Sequence, residues 1–226
     1  FKYTYVLTSG SRKSLDAKKT VYFEANEVSN EYSSHNSAME KDYLVFIDQA
    51  LPFHPDFGTL EERPIPSSEY YKEVNSILAR IEEIVGMEVV IAGHPRCKDT
   101  YNYYCGRKVL YNNTLGLIDG SCGVLAHFSS SIVNAVMQFK PIMFLCPNVF
   151  EKNPYRRYMY IIYSIAGALG QPIVNDSNFN DVSFNVDRQK YLDYIEKYIV
   201  TGKARGFKFI DAMEMIIKEE LEKPPV

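Results

Sequence analysis

The sequence predicts an α/β protein built on a doubly wound parallel sheet, with a helical carboxyl-terminal segment. Short apolar runs alternate with helical patterns through the middle of the chain, as in proteins that wind strand and helix in turn. The first run, 43–47, is apolar throughout, which is typical of a strand buried on both faces. Beyond Pro147 apolar residues recur at helical spacing, which predicts the helical end of the chain.

The composition excludes several classes of protein. The chain has 226 residues, of which 46% are hydrophobic and 23% charged, as is ordinary for globular proteins. This length and composition argue against disorder and a coiled coil, and the net charge of −3 argues against nucleic-acid binding. No apolar run approaches the ~18 residues that span a bilayer, so we expect a soluble, cytoplasmic protein. The four cysteines form no C-x-x-C pair, which argues against structural zinc and favours a reducing compartment.

Six strands and four intervening helices are predicted in the middle of the chain. The strands are 43–47, 87–92, 108–111, 123–126, 141–145 and a short 172–174. The helices are a long one that starts at Ser67 and stops at Gly86, and shorter ones near 98–105, 113–121 and 130–139. Connecting parallel neighbours by right-handed crossovers places these helices on both faces of the sheet.

The predicted elements divide the chain into three parts. Residues 1–41 are predicted to be an irregular lead-in or the tail of a preceding domain, and the absence of an initiator Met suggests a piece of a longer chain. Residues 42–174 are predicted to form a Rossmann-like domain. Residues 175–226 are predicted to form a helical segment that packs on that same domain.

Polar residues at the carboxyl ends of the strands are the candidate site, because ligands of open parallel sheets bind at that edge. They follow the first, second and fourth predicted strands. They are Asp48 and Gln49, then Gly93, His94 and Arg96, then His127, Ser129, Ser130 and Ser131.

The three serines suggest an anion site. Ser129, Ser130 and Ser131 lie where a strand ends and a helix begins, so they offer hydroxyls and free backbone N–H groups at the positive end of a helix dipole. A phosphate fits such a place. An ordinary serine N-cap is the alternative explanation of the same residues.

Two histidines and an acid complete the candidate set. Pro95 keeps His94 extended, so His94 and Arg96 can neutralise a diphosphate or protonate a departing phosphate oxygen, although an incidental loop histidine is the alternative. His127 is either a core histidine or part of the cleft. Asp48 is a general base or a turn cap, and His54 is a secondary candidate for the cleft wall.

These motifs resemble a known family. Gly93-His94-Pro95-Arg96, with the segments 125–135 and 140–144, resembles the carboxyl-terminal half of a two-Rossmann-domain (GT-B) glycosyltransferase. The likeness is narrower to bacterial sialyltransferases and polysialyltransferases, which share a His-Pro and a Ser-Ser motif. Polyol-phosphate transferases that use CDP-glycerol carry the same two signatures. The resemblance covers roughly residues 43–170.

The resemblance implies roles for individual residues. His94 would contact or protonate the leaving phosphate, and Ser129 and Ser130 would hold it. Asn134 stands where such enzymes often place an acid on the ribose of the donor. The His127-Phe128 pair replaces the Asp-Tyr that usually precedes the serines in polyol-phosphate transferases, which favours the sugar transferases.

The function that the resemblance implies is the donor-binding part of a glycosyltransferase for bacterial capsule or lipopolysaccharide. We expect an inverting, metal-independent enzyme without a cofactor, whose partners are a cytidine- or uridine-nucleotide sugar and a glycan or lipid-linked acceptor. The acceptor-activating base, and any peripheral contact with the inner membrane, would belong to a missing amino-terminal half. The alternatives are a polyol-phosphate transferase, a nucleotide-sugar epimerase and a non-catalytic nucleotide-binding module.

Overall fold

A computed structural model describes residues 3–11, 17–25, 42–54, 63–97, 102–179 and 182–222. In chain order the strands are β1 (Tyr3–Ser9), β2 (Ala17–Phe23), β3 (Tyr43–Ile47), β4 (Glu88–Gly93), β5 (Val109–Tyr111), β6 (Gly123–Ala126), β7 (Ile142–Leu145) and β8 (Ile173–Val174). The α-helices are α1 (Ser67–Val85), α2 (Thr114–Gly120), α3 (Ile132–Met137), α4 (Arg156–Leu169), α5 (Arg188–Tyr194) and α6 (Phe209–Leu221). The chain forms two compact units, 34–187 and a second one made of 1–33 with 188–226.

The larger unit contains a six-stranded sheet in the order β5-β4-β3-β6-β7-β8. Every neighbouring pair of strands in it is parallel. The chain moves outward from β3 through β4 to β5, then crosses back to the other side of β3 and continues from β6 to β8. This is the strand order of a doubly wound, Rossmann-like sheet, and it confirms the predicted fold class.

Burial explains why the strands are continuous apolar runs. Leu44, Val45 and Phe46 of β3 are fully buried, and all four residues of β6 and of β7 are buried as well. A central parallel strand is covered by helices on both faces, so neither side can be polar. The core of the unit therefore lies along β3, β6 and β7.

Helix α1 packs one stripe of its surface into this core. Tyr70, Val74 and Ile77 are fully buried, and they recur at the three-and-four spacing of a helix face. The helix ends because Gly86 adopts a φ of 72°, a left-handed conformation that other residues rarely take. Both the face and the end agree with the sequence prediction.

Two predicted helices need correction. Of the helix predicted near 98–105, the structure describes 102–105, and these residues form a 3-10 turn in which Cys105 has a φ of 53° and Gly106 a φ of 83°. Two successive left-handed residues cannot continue a helix. The helix predicted near 130–139 is the six-residue α3, and Phe139, with a φ of 53°, prevents its extension.

The smaller unit differs from the irregular lead-in expected for residues 1–41. Within it β1 and β2 pair in parallel. The helical end of the chain belongs to this unit: Ser9 Oγ donates to the carbonyl oxygen of Tyr198 (3.1 Å), and Lys208 Nζ lies 2.8 Å from Glu24 Oε2. The predicted boundary at 174 thus moves to 187, and the terminal helices group with residues 1–33 instead of the sheet unit.

Among the residues that the structure describes, no helix combines the length and the hydropathy needed to cross a bilayer.

Candidate functional site

A cleft of about 280 Å³ opens at the carboxyl edge of the large sheet. Its lining comes from the last residues of β3 and β4, from residues that follow β3, β4 and β6, and from one residue that follows β5. The lining residues are Ile47, Asp48, Gln49, His54, Ala92, Gly93, His94, Pro95, Thr114, Ser129, Ser130 and Ser131. The cleft brings together most of the candidate residues that the sequence singled out.

The strand order explains the position of the cleft. After β3 the chain turns to one side of the sheet, and β6 begins the winding on the other side. Loops that leave β3 and β6 therefore diverge to opposite faces, and a crevice opens between them. The side chain of Gln49 ties these two loops together, since its Oε1 accepts a hydrogen bond from the backbone N–H of Phe128 (3.1 Å).

His94 is half-buried in the cleft and directly follows β4. Its Nδ1 accepts a hydrogen bond from the backbone N–H of Arg96 (3.3 Å), so the neutral ring carries its proton on Nε2. The ring of His54 meets the ring of His94 edge to face, with centroids 5.2 Å apart. The cleft thus holds a pair of imidazoles, groups whose ring nitrogens can donate or accept hydrogen bonds to a ligand.

Gly93 has a packing role at the end of β4. A Cβ at this position would lie 2.4 Å from Cε1 and 2.7 Å from Cδ1 of Tyr111 on the neighbouring strand β5. No carbon atom fits at such distances, so a glycine is required for the Tyr111 ring to lie against the strand. The sequence prediction gave Gly93 a ligand-binding role, and the structure adds this packing constraint.

The serine segment lines the cleft, but its backbone differs from the expected helix start. The N–H groups of residues 132–134 each donate to the carbonyl oxygen three residues earlier, at 3.1 Å, and the N–H of Ser131 donates to Oγ of Ser129 (3.3 Å). These N–H groups therefore already donate hydrogen bonds within the turn. Helix α3 itself is short, with only six residues. The expectation of free N–H groups at the three serines is therefore wrong for Ser131, and the N–H groups of 132–134 are used as well, so the segment presents its hydroxyls.

Asp48 supplies a carboxylate to the cleft, although only 3% of its surface is exposed. Its Oδ1 accepts a hydrogen bond from the backbone N–H of Ala50 (2.6 Å), which is the turn-capping role considered from the sequence. Burial, and then the charge of Asp48, raise the pKa of the Tyr70 and Tyr104 hydroxyls well above their usual range. Asp48 is thus a nearly buried acid, fixed by its hydrogen bond to the turn, that lines the same cleft as the imidazole pair.

His127 does not line the cleft, which corrects the suggestion that it could. The ring is fully buried, and its Nδ1 lies 2.7 Å from the carbonyl oxygen of Leu145. Because a carbonyl only accepts, Nδ1 carries the proton, and Nε2 accepts from the Tyr70 hydroxyl at 2.9 Å. Burial lowers the pKa of His127 to about 4, so the ring is neutral and structural at physiological pH.

Arg96 and Asn134 are outside the lining of the cleft. Arg96 lies in an exposed turn after His94, where its side chain reaches water. Asn134 lies in the middle of α3 and is partly buried. The structure therefore does not gather these two candidates with the others, and their proposed contacts with a diphosphate and a ribose lack support from the cleft.

Thr114 was missed, and His54 was given only a secondary place. Thr114 is the first residue of α2 and closely follows the short strand β5, so the same strand-end argument that found the serines applies to it. His54 comes after the 3-10 turn Leu51–Phe53, too far from β3 for that argument. Its approach to His94 depends on the path of this loop.

The side chains of the cleft suggest what it can bind. Hydroxyls and imidazoles suit a phosphate, while the carboxylate of Asp48 and the amide of Gln49 suit hydroxyl or amino groups of the same ligand. In the described part of the chain, no three His, Cys, Asp or Glu side chains come together as metal ligands would.

No protein-family model and no curated protein matches this sequence. Two solved structures of UDP-GlcNAc 2-epimerase from Methanocaldococcus jannaschii are similar to it, one of them in complex with UDP-GlcNAc and UDP. The identities are 16% and 15%, over 82% and 80% of this chain, with TM-scores of 0.39 and 0.40. The chain spans 47% and 45% of those structures, less than half their length. The Rossmann-like assignment rests on the strand order itself.

Proposed function

We propose that this chain binds a nucleotide sugar through its phosphates and forms the donor-binding part of a glycosyltransferase. The observation that carries the proposal is the convergence of His94, His54 and the serines 129–131 in one cleft at the point where the winding of the sheet reverses. Phosphates are bound by hydroxyls and imidazoles, and this crevice is where doubly wound sheets bind nucleotides. The resemblance of the His-Pro and Ser-Ser motifs to surface-polysaccharide transferases supplies the reaction class.

In the proposed reaction the acceptor hydroxyl attacks the anomeric carbon of the donor, and the bond from that carbon to the phosphate oxygen breaks. The acceptor proton passes to a base that we assign to another half of the enzyme. His94, with its proton on Nε2, donates a hydrogen bond to the departing phosphate, and the hydroxyls of Ser129 and Ser130 hold it. Catalysis of this kind depends on positioning and charge neutralisation.

Calorimetric titration of CMP, CDP and UDP tests the phosphate-binding part of the proposal. We expect the wild-type chain to bind at least one of them, and the double variant Ser129→Ala, Ser130→Ala to bind it roughly 100-fold more weakly or worse, since each lost hydrogen bond to a charged group is worth about 1.5–3 kcal/mol. Ser164→Ala, an exposed serine on α4, is the matched control and should bind as the wild type does. Failure of the wild-type chain to bind any of the three favours a protein whose serines only shape a turn.

Product analysis tests the reaction class in the complete enzyme. Incubation with a CMP- or UDP-sugar and an acceptor glycan should release the free nucleotide and yield a glycosylated acceptor, with or without EDTA. Conversion of the donor into an epimeric nucleotide sugar, without acceptor, is the outcome that an epimerase gives. Transfer of a phosphorylated polyol from a CDP-polyol would instead assign the cleft to polyol-phosphate transfer. Capsule or lipopolysaccharide as the destination of the sugar rests on the motif resemblance.

A further inference from the structure

Two exposed aromatic rings lie beside the cleft and have no part in the functions described so far. Phe53 is 43% exposed and Tyr103 is 40% exposed, and their ring centroids are 5.4 Å apart. Both rings pack on Tyr71 of α1, which is 3% exposed, and Tyr103 stacks on it at 4.6 Å with an interplanar angle of 16°. We call Phe53 and Tyr103 the aromatic ledge.

The ledge adjoins the cleft through Phe53. Phe53 immediately precedes His54, whose ring touches that of His94 inside the cleft. The carbonyl oxygen of Phe53 also accepts a hydrogen bond from the Cys97 thiol (3.7 Å), which links it to the turn that follows His94. A ligand that leaves the cleft past the imidazole pair therefore meets an aromatic surface.

The ledge is held in place by the main helix of the unit. Asn75 of α1 donates from Nδ2 to the carbonyl oxygens of Tyr71 and Tyr103, each at 2.7 Å. Arg107 in turn donates to Oδ1 of Asn75 (2.9 Å). Because its backbone is anchored in this way, Tyr103 presents its ring at a fixed angle, as a stacking platform requires.

The size of the cleft leaves part of the proposed ligand outside. Its volume of about 280 Å³ lies at the lower limit of the ~300–1,000 Å³ of pockets that enclose drug-sized molecules, so we expect part of a nucleotide sugar to extend beyond it. The polar lining suits phosphate and hydroxyl groups. The planar, weakly polar base is the part of such a ligand that gains most from an aromatic surface.

We propose that the aromatic ledge binds the nucleobase of the donor by stacking, while the phosphate lies in the cleft. This assignment rests on the proposed function and names the part of the ligand that each surface takes. Stacking tolerates any base, because every base has a π face, so the ledge would contribute affinity while groups elsewhere discriminate cytosine from uracil.

The test separates the ledge from the cleft by using three probes: CMP, ribose 5-phosphate and inorganic pyrophosphate. In the full 226-residue chain, Phe53→Ala and Tyr103→Ala should each weaken CMP binding roughly tenfold, the usual loss on removing one base-stacking ring, and leave both base-free probes unchanged. Tyr103→Phe keeps the ring and should bind CMP normally. Tyr160→Ala, a 61% exposed tyrosine on α4, is the control that should change nothing.

A second readout uses the absence of tryptophan from the sequence. Phe53→Trp places the only tryptophan of the sequence on the ledge, where it can be excited selectively over the 18 tyrosines, and CMP should quench its emission while pyrophosphate should not. Tyr160→Trp, the matched reporter on α4, should respond to neither ligand. This measurement needs only a small, tolerated exchange at an exposed site, so it does not depend on the stability of the alanine variants.

The outcomes distinguish the two proposals. If the wild-type chain binds neither CMP nor pyrophosphate, the proposed function fails and the ledge assignment fails with it. If both bind, but the alanine variants weaken ribose 5-phosphate as much as CMP, the ledge binds a sugar and the nucleobase assignment is overturned. Equal CMP affinity in wild type and both alanine variants, with no quenching of the Trp reporter, also overturns it.

Discussion

His94 and His127 occupy the same position relative to their strands, yet they lie in opposite surroundings. Each directly follows the last residue of its strand, β4 for His94 and β6 for His127, and these strands flank β3 on either side. His94 lines the cleft, whereas His127 is buried among Phe46, Tyr70 and Phe150. A strand end places a residue near the site, but the neighbouring helices decide whether its side chain enters the cleft or the core.

Of the substitutions at these two histidines, His127→Ala is expected to have the largest effect, a loss of folding stability. The substitution leaves a cavity among the surrounding rings and removes the partners of the Leu145 carbonyl and the Tyr70 hydroxyl. We expect the free energy of unfolding to fall by about 4 kcal/mol, from cavity formation and lost hydrogen bonds together. Urea unfolding followed by circular dichroism measures it. A loss smaller than that of His94→Ala would refute the assignment of His127 to the core.

The second largest effect is expected in the pH dependence of folding stability, and it also comes from His127. The pKa of His127 is about 4 in the folded chain and ordinarily about 6.5, so between these values the unfolded chain binds a proton that the folded chain does not. The contribution of the neutral, buried His127 ring to the free energy of unfolding is complete above pH 6.5. It falls by about 3 kcal/mol as the pH drops to 4. It stays constant at lower pH.

A paired experiment isolates this contribution from other groups that titrate in the same range, such as Glu73, whose pKa is raised chiefly by burial. Unfolding free energies of wild type and His127→Gln are compared at steps from pH 7.5 to 4. The difference between the two curves should shrink across the window from 6.5 to 4. Parallel curves would mean that His127 accepts a proton in the folded state.

We expect His94→Ala to weaken ligand binding and turnover while leaving stability almost unchanged. The half-buried ring contributes little packing, so the free energy of unfolding should change by less than about 0.5 kcal/mol. CMP affinity should fall roughly tenfold through loss of a hydrogen bond to a charged phosphate, and turnover of the complete enzyme by at least about 100-fold through loss of proton donation. Calorimetry and a nucleotide-release assay report the two effects. Unchanged turnover would remove His94 from the mechanism.

Arg96→Ala is expected to give the smallest effect. Its side chain is exposed and lies outside the cleft lining, so it acts on an anionic ligand only across water. We expect CMP affinity to fall about twofold at low salt, a difference that 1 M salt should abolish by screening. A salt-independent loss as large as that of His94→Ala would place the guanidinium on the ligand.

The sheet and the neighbourhood of the site were predictable for a simple physical reason. A strand such as β6, buried on both faces, must be apolar throughout, so its limits are visible in the sequence. Strand ends of a parallel sheet share one edge, and this explains why His94 and the serines line one cleft. The orientation of His127 was not predictable, because Tyr70 and Phe150, which bury it, come from distant parts of the chain.

Local backbone conformation accounts for the other differences. Phe139 and Cys105 adopt left-handed φ angles although neither is a glycine, so the sequence does not indicate them. These angles shorten α3 and rule out a helical conformation at Cys105 in the described part of the helix expected near 98–105. The parallel strands β1 and β2 are mixed in composition, because Lys19 and Thr20 interrupt the apolar residues of β2. A short strand of that kind resembles an irregular segment until its partner is known.

The hydrogen bond from Phe128 to Gln49 has a consequence for how a ligand enters. It fastens the two loops whose divergence opens the crevice, so the gap between the acid and the hydroxyls keeps its width before anything binds. Ligand binding then requires little loss of loop entropy. The association rate should be limited by diffusion and orientation of the ligand, without a slow loop-closing step. Gln49→Ala would therefore be expected to slow the association of a ligand by releasing the two loops.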